Sequence, residues 1–335
     1  MIARYRSLPH PIATPAVVAV IVLSLLLPFL VGAGNLFFWT TVLIAIMFAS
    51  SVNLLFGVAD VPSFGQAAFF GAGGYAVALL APHNWPAPLA LVAAVVVAGA
   101  VAAGTSILTW RTTGLAFAML TLAVAQALYT LTVKTNSLGG YNGLPGIVAP
   151  DLAGWHLGAP RSFWYFTLAC VAVGLAVLWQ VGRSPFGHTV RAIRENAVRA
   201  TYLGVNIRAY RAAAFTIAGA MAGLAGGLSV YANQIATANM LYWTQSALPI
   251  IMLLLGGRYH FWGPALGAVV LTWLVNDLSQ RTTAYFFYIG LLLMVVLLLF
   301  PEGILGLPEA VRRWVRWWRG RVPRVPGDER VGIEA

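Results

Sequence analysis

Long apolar runs broken by short polar stretches dominate this chain. A helix needs about 20 apolar residues to cross a bilayer's hydrocarbon core. Runs of that kind fall at 13–33, 35–56, 87–110, 114–133, 162–182, 212–232, 262–278 and 284–301. Two weaker segments, 64–81 and 239–256, are shorter and interrupted by Gly or Pro. The runs are too long and continuous for the alternation of an outer-membrane barrel. Lipid forces backbone polar groups to pair within the segment, which selects helices. The pattern predicts an all-α integral membrane protein of about ten transmembrane helices, some short or broken.

Charge sets the direction of those spans. With the N-terminus inside and the spans alternating, 17 of the 20 basic residues fall on the inner side. Lys134, Arg161 and Arg281 fall outside. Dropping either weak segment would spoil this asymmetry, so the basic loops predict that both termini are cytoplasmic. The chain divides into a cytoplasmic segment 1–12, a membrane domain 13–307 and a basic cytoplasmic tail 308–335. Arg4 and Arg6 ahead of the first run, with Gly32-Ala33-Gly34 after it, imitate a cleavable signal, but the run is long enough to cross and more spans follow. In the tail, Trp314, Trp317 and Trp318 among arginines predict an interfacial helix, followed by a Pro-rich disordered end.

Only 9% of residues are charged against 60% hydrophobic, whereas soluble domains carry about 25% charged residues. The net charge of +11 lies beside apolar spans and comes with no nucleic-acid reader motif, so no nucleic-acid partner is expected. Cys170 is the sole cysteine, which excludes a disulfide within the chain.

One segment departs from the pattern. Six arginines crowd between Arg183 and Arg211. Ser184 suits a helix cap and Pro185 a first helical position. Val190, Ile193, Ala197 and Ala200 recur on one face, while Arg191, Arg194, Glu195 and Arg199 share the other. Glu195 is four residues from both Arg191 and Arg199, a spacing that supports ion pairs, and Gly204 is expected to end the helix. A loop that merely orients the chain would need the arginines alone. The cap, the patterned faces and the central glutamate point to a cytoplasmic amphipathic helix that docks a protein.

Several chemistries are missing. His10, His83, His156, His188 and His260 lie near membrane surfaces or in loops, and Asp60 and Asp277 lie near span ends. A proton-coupled carrier usually needs buried carboxylates or histidines, so that class is weakened, while sodium coupling through carbonyls stays open. No catalytic set, metal-ligand cluster or cofactor motif is present. A P-loop needs Gly before its lysine, and the only lysine, Lys134, lies in TVKT. If transport is ATP-driven, the motor is another polypeptide.

Two stretches concentrate glycine: Asn53–Leu80 and Ala218–Gln234. Gly219, Gly223 and Gly227 fit close helix packing. In the first stretch Pro62, Ser63, Gly65 and Gln66 interrupt an apolar run. A broken helix is tolerated where it lines a cavity or is buried in protein, and both readings stand.

At this point the chain resembles the permease subunits of ATP-binding cassette importers for branched-chain amino acids, the LivM type, over about residues 35–307. Four blocks carry the resemblance: NLLFGVADVPSFGQAAFFGAGGYA; SLGGYNGLPGI; SPFGHTVRAIRENAVRATYLGVNIRAYRAAAFTIAGAMAGLAGGL; and LLGGRYHFWGPALGAVV with PEGILGL. The sequence departs from the pattern at Asp60, where glycine is common, at Arg211, where lysine is frequent, in the bulkier GGRYHFWGP, and at Val198, where the general docking motif carries glutamate.

The resemblance implies an inner-membrane importer subunit and no enzyme. Its partners would be a second permease of the LivH type, two P-loop ATPases of the LivG and LivF type, and a soluble binding protein. The segment 183–211 would be the coupling loop, with Arg191, Arg194, Glu195, Arg199, Ala200 and Gly204 at the ATPase. The translocation route is expected near Asn53, Ser63, Gly65, Gln66, Gly140 and Asn142. Similar subunits serve urea, short amides or other amino acids, and Asp60 would suit a more polar or cationic solute. From a different class, a standalone ion-coupled carrier or channel is the alternative.

Overall fold

The structure, a computed structural model, describes residues 24–306 apart from 30, 110, 113, 151–155, 285–286, 292–293 and 295–302. The expected segments 1–12 and 308–335, the tail helix, and much of the first and last spans lie outside the described residues.

Among the described residues, ten α-helices with full bounds carry the fold. They are α1 (Ala33–Asn53), α2 (Gln66–Leu80), α3 (Ala87–Thr109), α4 (Leu115–Lys134), α5 (Pro160–Arg183), α6 (Pro185–Glu195), α7 (Ala197–Tyr202), α8 (Ile207–Asn233), α9 (Thr244–Gly256) and α10 (Gly263–Arg281). Helix α1 runs on as a π-helical turn and a half, Leu54–Ala59. Residues 24–29 are also helical and lie against the start of α5, where Trp164 Nε1 donates to the Ser24 carbonyl (3.1 Å) and the Tyr165 hydroxyl to that of Leu25 (2.9 Å).

Five of the described helices are long and apolar enough to cross a membrane: α1 with its π-helical extension, α3, α4, α5 and α8. The sequence pattern led us to expect about ten. Of the other five, the first and last lie largely outside the described residues, and the remaining three have physical causes. Helices α2 and α9 have 15 and 13 residues, about 22 and 20 Å at 1.5 Å per residue, short of a 30 Å core. Helix α10 ends on polar turns carrying Asp277 and Arg281, which pair at 3.0 Å.

The centre is built on glycine and alanine. Helix α8 packs against α1, α2 and α3. A Cβ on Gly73 would collide with the Gly223 backbone, and one on Gly226 with the Phe70 carbonyl. A Cβ on Gly223 would lie 2.8 Å from the Ala94 carbonyl oxygen. The expected packing role of Gly219, Gly223 and Gly227 therefore holds, because lipid supplies no hydrophobic drive between helices and close van der Waals approach must replace it. A second contact of this type joins α9 to α10. There a Cβ on Gly256 would collide with the Gly263 carbonyl, and one on Gly303 would lie within 3 Å of the Gly256 and Gly257 backbone.

At one end, the loop between α4 and α5 is tied to the chain after α8. Strands β1 (Leu144–Pro145) and β2 (Ile235–Ala236) pair antiparallel, with Leu144 opposite Ala236. Gly143 has φ +75, and its missing Cβ leaves room for the Ala236 carbonyl.

This packing makes a test. Gly226→Val should lower the melting temperature of the detergent-solubilised protein by roughly 5 °C or more, since overpacking costs about 1–3 kcal/mol or more. Gly104→Ala, at an exposed position of α3 with nothing within 4 Å, should leave it unchanged or slightly raised. Equal effects of the two variants would show that backbone approach does not set the stability.

Candidate functional site

The site begins where α1 and its π-helical extension end. The π-helical turn ends at Asp60, which adopts the left-handed conformation (φ 51, ψ 39). Glycine is the easiest residue there, and Asp is among the few others that tolerate it. This accounts for an aspartate where the resemblance expects glycine. Its carboxylate faces Arg258 at 4.0 Å and is partly exposed, so it is no isolated negative charge.

Residues 60–65 are non-helical, and α2 restarts at Gln66. Ser63 and Gln66 are fully buried. A buried break leaves N–H groups that need partners, and hydroxyls supply them. Phe64 N donates to Thr121 Oγ1 of α4 (3.2 Å), Gly65 N to Ser63 Oγ (3.2 Å), and Ala67 N to Ser246 Oγ of α9 (2.8 Å). Gly65 allows the approach of α4, since a Cβ would sit 2.8 Å from the Thr121 carbonyl oxygen.

The Gln66 side chain is the exception, with neither its Oε1 nor its Nε2 meeting a hydrogen-bond partner. Asn53 is also buried; its Nδ2 reaches the His260 carbonyl at 3.5 Å while its Oδ1 is unpaired. The structure thus brings Asn53, Ser63, Gly65 and Gln66 to one broken segment. Gly140 and Asn142 lie elsewhere, in the loop beyond α4. Gly140 is against Val133, twelve residues or about 18 Å along α4 from Thr121, and Asn142 is exposed.

The charged segment is two helices where the pattern predicts one. Ser184 caps α6 as expected, accepting from Gly187 N (3.3 Å). The helix breaks at Asn196, whose extended backbone lets its Oδ1 cap α7 through Arg199 N (2.8 Å). Gly204 closes α7 with φ +80, Val205 N reaching the Ala200 carbonyl (3.1 Å) and Gly204 N that of Thr201 (2.9 Å), the paired bonds of a left-handed C-cap. Asn206 then caps α8 through Ala209 N (3.2 Å).

The break removes the expected ion pairs of Glu195. Among the described residues Glu195 makes none. Arg199 belongs to the next helix, and Arg191 turns back, its guanidinium donating to the carbonyls of Gly182 (2.6 Å) and Gly187 (3.1 Å). Val190, Ile193 and Ala200 are buried as the pattern predicts, while Glu195, Arg199, Val198 (65% exposed), Tyr202 (88%) and Leu203 (77%) face outward.

Arg194 joins the two regions. Its guanidinium donates to the Gly57 carbonyl at the end of the π-helical turn and lies over the Tyr259 ring, 5.4 Å from the centroid. Arg258 uses the same ring at 4.6 Å. A cation on the last carbonyls of a helix is electrostatically favoured. Helix α6 is therefore fastened to the segment that leads into the break.

Sequence reasoning missed Thr121, Ser246, Gly57, Tyr259, Asn196 and Asn206. Thr121 was visible as a lone hydroxyl in an apolar run, and Asn196 and Asn206 each precede a helical stretch by one residue. Nothing in the sequence points to the partners of Arg194. Among the described residues, no group of three or more His, Cys, Asp or Glu gathers as a metal site.

Five described helices long and apolar enough to cross lipid, packed beside a break in the chain, mark a multi-pass membrane protein. The chain belongs to the family described as branched-chain amino acid transport system / permease component, which it matches over residues 34–300. It is similar to the high-affinity branched-chain amino acid transport system permease protein LivM of Escherichia coli (strain K12), 26% identical over 86% of this chain and 74% of the relative. The LivM of Salmonella typhimurium is 25% identical over 86% and 73%. A probable branched-chain amino acid transport permease protein LivM of Methanocaldococcus jannaschii is 29% identical over 55% and 58%. No solved structure matches the chain.

Two tests follow from the break. Ser246→Ala leaves the buried Ala67 N–H unpaired and should cost about 1–3 kcal/mol of stability, read as a lower unfolding midpoint. An unchanged midpoint would mean that water serves the group. In a Cys170→Ala background, Ser63→Cys and Gln66→Cys should resist a polar thiol reagent at rest and react during turnover, while Asn142→Cys reacts throughout. Protection of the first two in every state would make the break packing alone.

Proposed function

We propose that this chain is the membrane-spanning permease subunit of an ATP-binding cassette importer that moves branched-chain amino acids inward. It sits in the inner membrane with about ten spans within residues 13–307 and both termini cytoplasmic, the orientation the basic residues favour. The second permease is LivH-like, two P-loop ATPases of the LivG and LivF type bind on the cytoplasmic side, and a soluble binding protein delivers the cargo outside. The observation that carries this reading is the tie between Arg194 and Gly57. It gives movement of an outward-facing docking helix a direct mechanical path into the break at Asp60–Gly65.

In this mechanism Glu195, Arg199 and the exposed apolar side chains of α7 meet the ATPase. Arg191, Ala200 and Gly204 shape that surface from within. Closure of the ATPases displaces α6, and Arg194 passes the displacement to the π-helical turn. The break then moves past Thr121 and Ser246, and the amides of Asn53 and Gln66, short of partners at rest, line the opened route. The salt contact of Asp60 with Arg258 supports a zwitterionic cargo over a cationic one.

The test starts with a mild-detergent pull-down from native membranes, followed by leucine and urea uptake. P-loop ATPases and a second permease should co-purify, and leucine but not urea should accumulate. Glu195→Arg should reduce uptake about tenfold or more, because like-charge juxtaposition at an interface costs several kcal/mol, with the chain still in the membrane. Normal uptake by that variant would overturn the docking assignment. A partnerless chain that transports in liposomes would overturn the importer reading.

A further inference from the structure

A cavity of about 530 Å³ opens beside the docking segment, between the turn after α3 and the start of α8. Its size falls within the range of about 300–1,000 Å³ seen for small-molecule sites. Arg111, Arg208 and Arg211 line it, together with Asp60, Asn206 and Phe215. The lining thus holds three arginines and one aspartate, and the aspartate's carboxylate already looks toward Arg258. The Nε of Arg211 is buried and has no hydrogen-bond partner. A buried N–H of a charged group left unpaired is costly, and Arg211 is one of the residues that line the cavity.

We propose that this cavity binds a phosphate-bearing anion. Guanidinium forks match phosphate oxygens two at a time, and like charges converge at such density where a counter-charge is bound between them. The surroundings favour a phospholipid headgroup as the source. Ile107 and Leu108 on α3, and Leu115 and Met119 on α4, stand exposed on either side of the Arg111 turn, the setting of acyl chains. Basic pockets between spans on the cytoplasmic side hold anionic headgroups in this way. The ligand would bridge Arg111 and Arg211, joining the α3–α4 turn to the helix that follows the docking segment. The inference depends on the membrane setting of the chain and is independent of the cargo.

The test is native mass spectrometry of the intact complex in neutral detergent, titrated separately with phosphatidylglycerol, phosphatidylcholine and inorganic phosphate. Phosphatidylglycerol should bind on the order of tenfold tighter than phosphatidylcholine. Arg111→Gln with Arg211→Gln should remove that preference, and Arg281→Gln, far along α10 and paired with Asp277, should retain it. Asp60→Asn keeps a residue that tolerates the left-handed backbone and should tighten binding several-fold, so it decides the matter if the double variant fails to fold. Saturable, arginine-dependent binding of inorganic phosphate with no gain from the lipid would assign the site to a free phosphate compound. Absence of any anion preference, equal loss in Arg281→Gln, or unchanged affinity in Asp60→Asn would overturn the proposal.

Discussion

A buried stretch of non-helical backbone between α1 and α2 is the constraint around which this protein is arranged. Where lipid surrounds the fold, its N–H groups have no water to fall back on. The chain answers with hydroxyls brought from other helices, Thr121 on α4 and Ser246 on α9. Those helices must therefore be held close to α2 in the right register. The glycine faces of α2 and α8 do that for one side, allowing backbones to approach where side chains would hold them apart. A helix of 15 residues is too short to be fixed by lipid alone, so its position is a property of its neighbours.

The same break gives the charged segment its use. A π-helical turn has wider geometry than an α-helix and is common at functional sites. Here it ends in carbonyls that need donors, and Arg194 supplies one from α6. The bond fastens a surface helix to the least regular part of the interior. Three side-chain caps, from Ser184, Asn196 and Asn206, keep α6, α7 and the start of α8 as separate rigid pieces. The outward side of these pieces is apolar at Val198, Tyr202 and Leu203 and charged at Glu195 and Arg199. Such a surface suits a protein partner better than open water.

Asp60 shows how one residue serves both parts. Its left-handed backbone turns the chain out of the π-helical extension of α1. Its side chain then joins the charged end of the molecule, near Arg258 and on the wall of the arginine-lined cavity. An aspartate read in isolation suggested a cationic cargo. In the fold it faces Arg258 at 4.0 Å, and backbone geometry explains why it can replace glycine.

What the sequence determined by itself was what lipid and local chemistry dictate. Apolar runs, basic loops, the Ser184 cap, the Gly204 stop and the glycine spacing of α8 all depend on neighbours within a few residues or on the solvent. These features were legible, and so was the family. The tertiary structure decided whatever depends on partners distant in the chain. It separated Gly140 and Asn142 from the break, took Arg191 and Arg194 into contacts within the chain, and brought Thr121, Ser246 and Tyr259 to a site that no spacing links them to. It also divided the charged segment at Asn196, because a side-chain cap there satisfies the backbone of a second helix at the cost of the Glu195–Arg199 pair. Periodicity records which face of a helix is apolar; only packing records which polar group meets which.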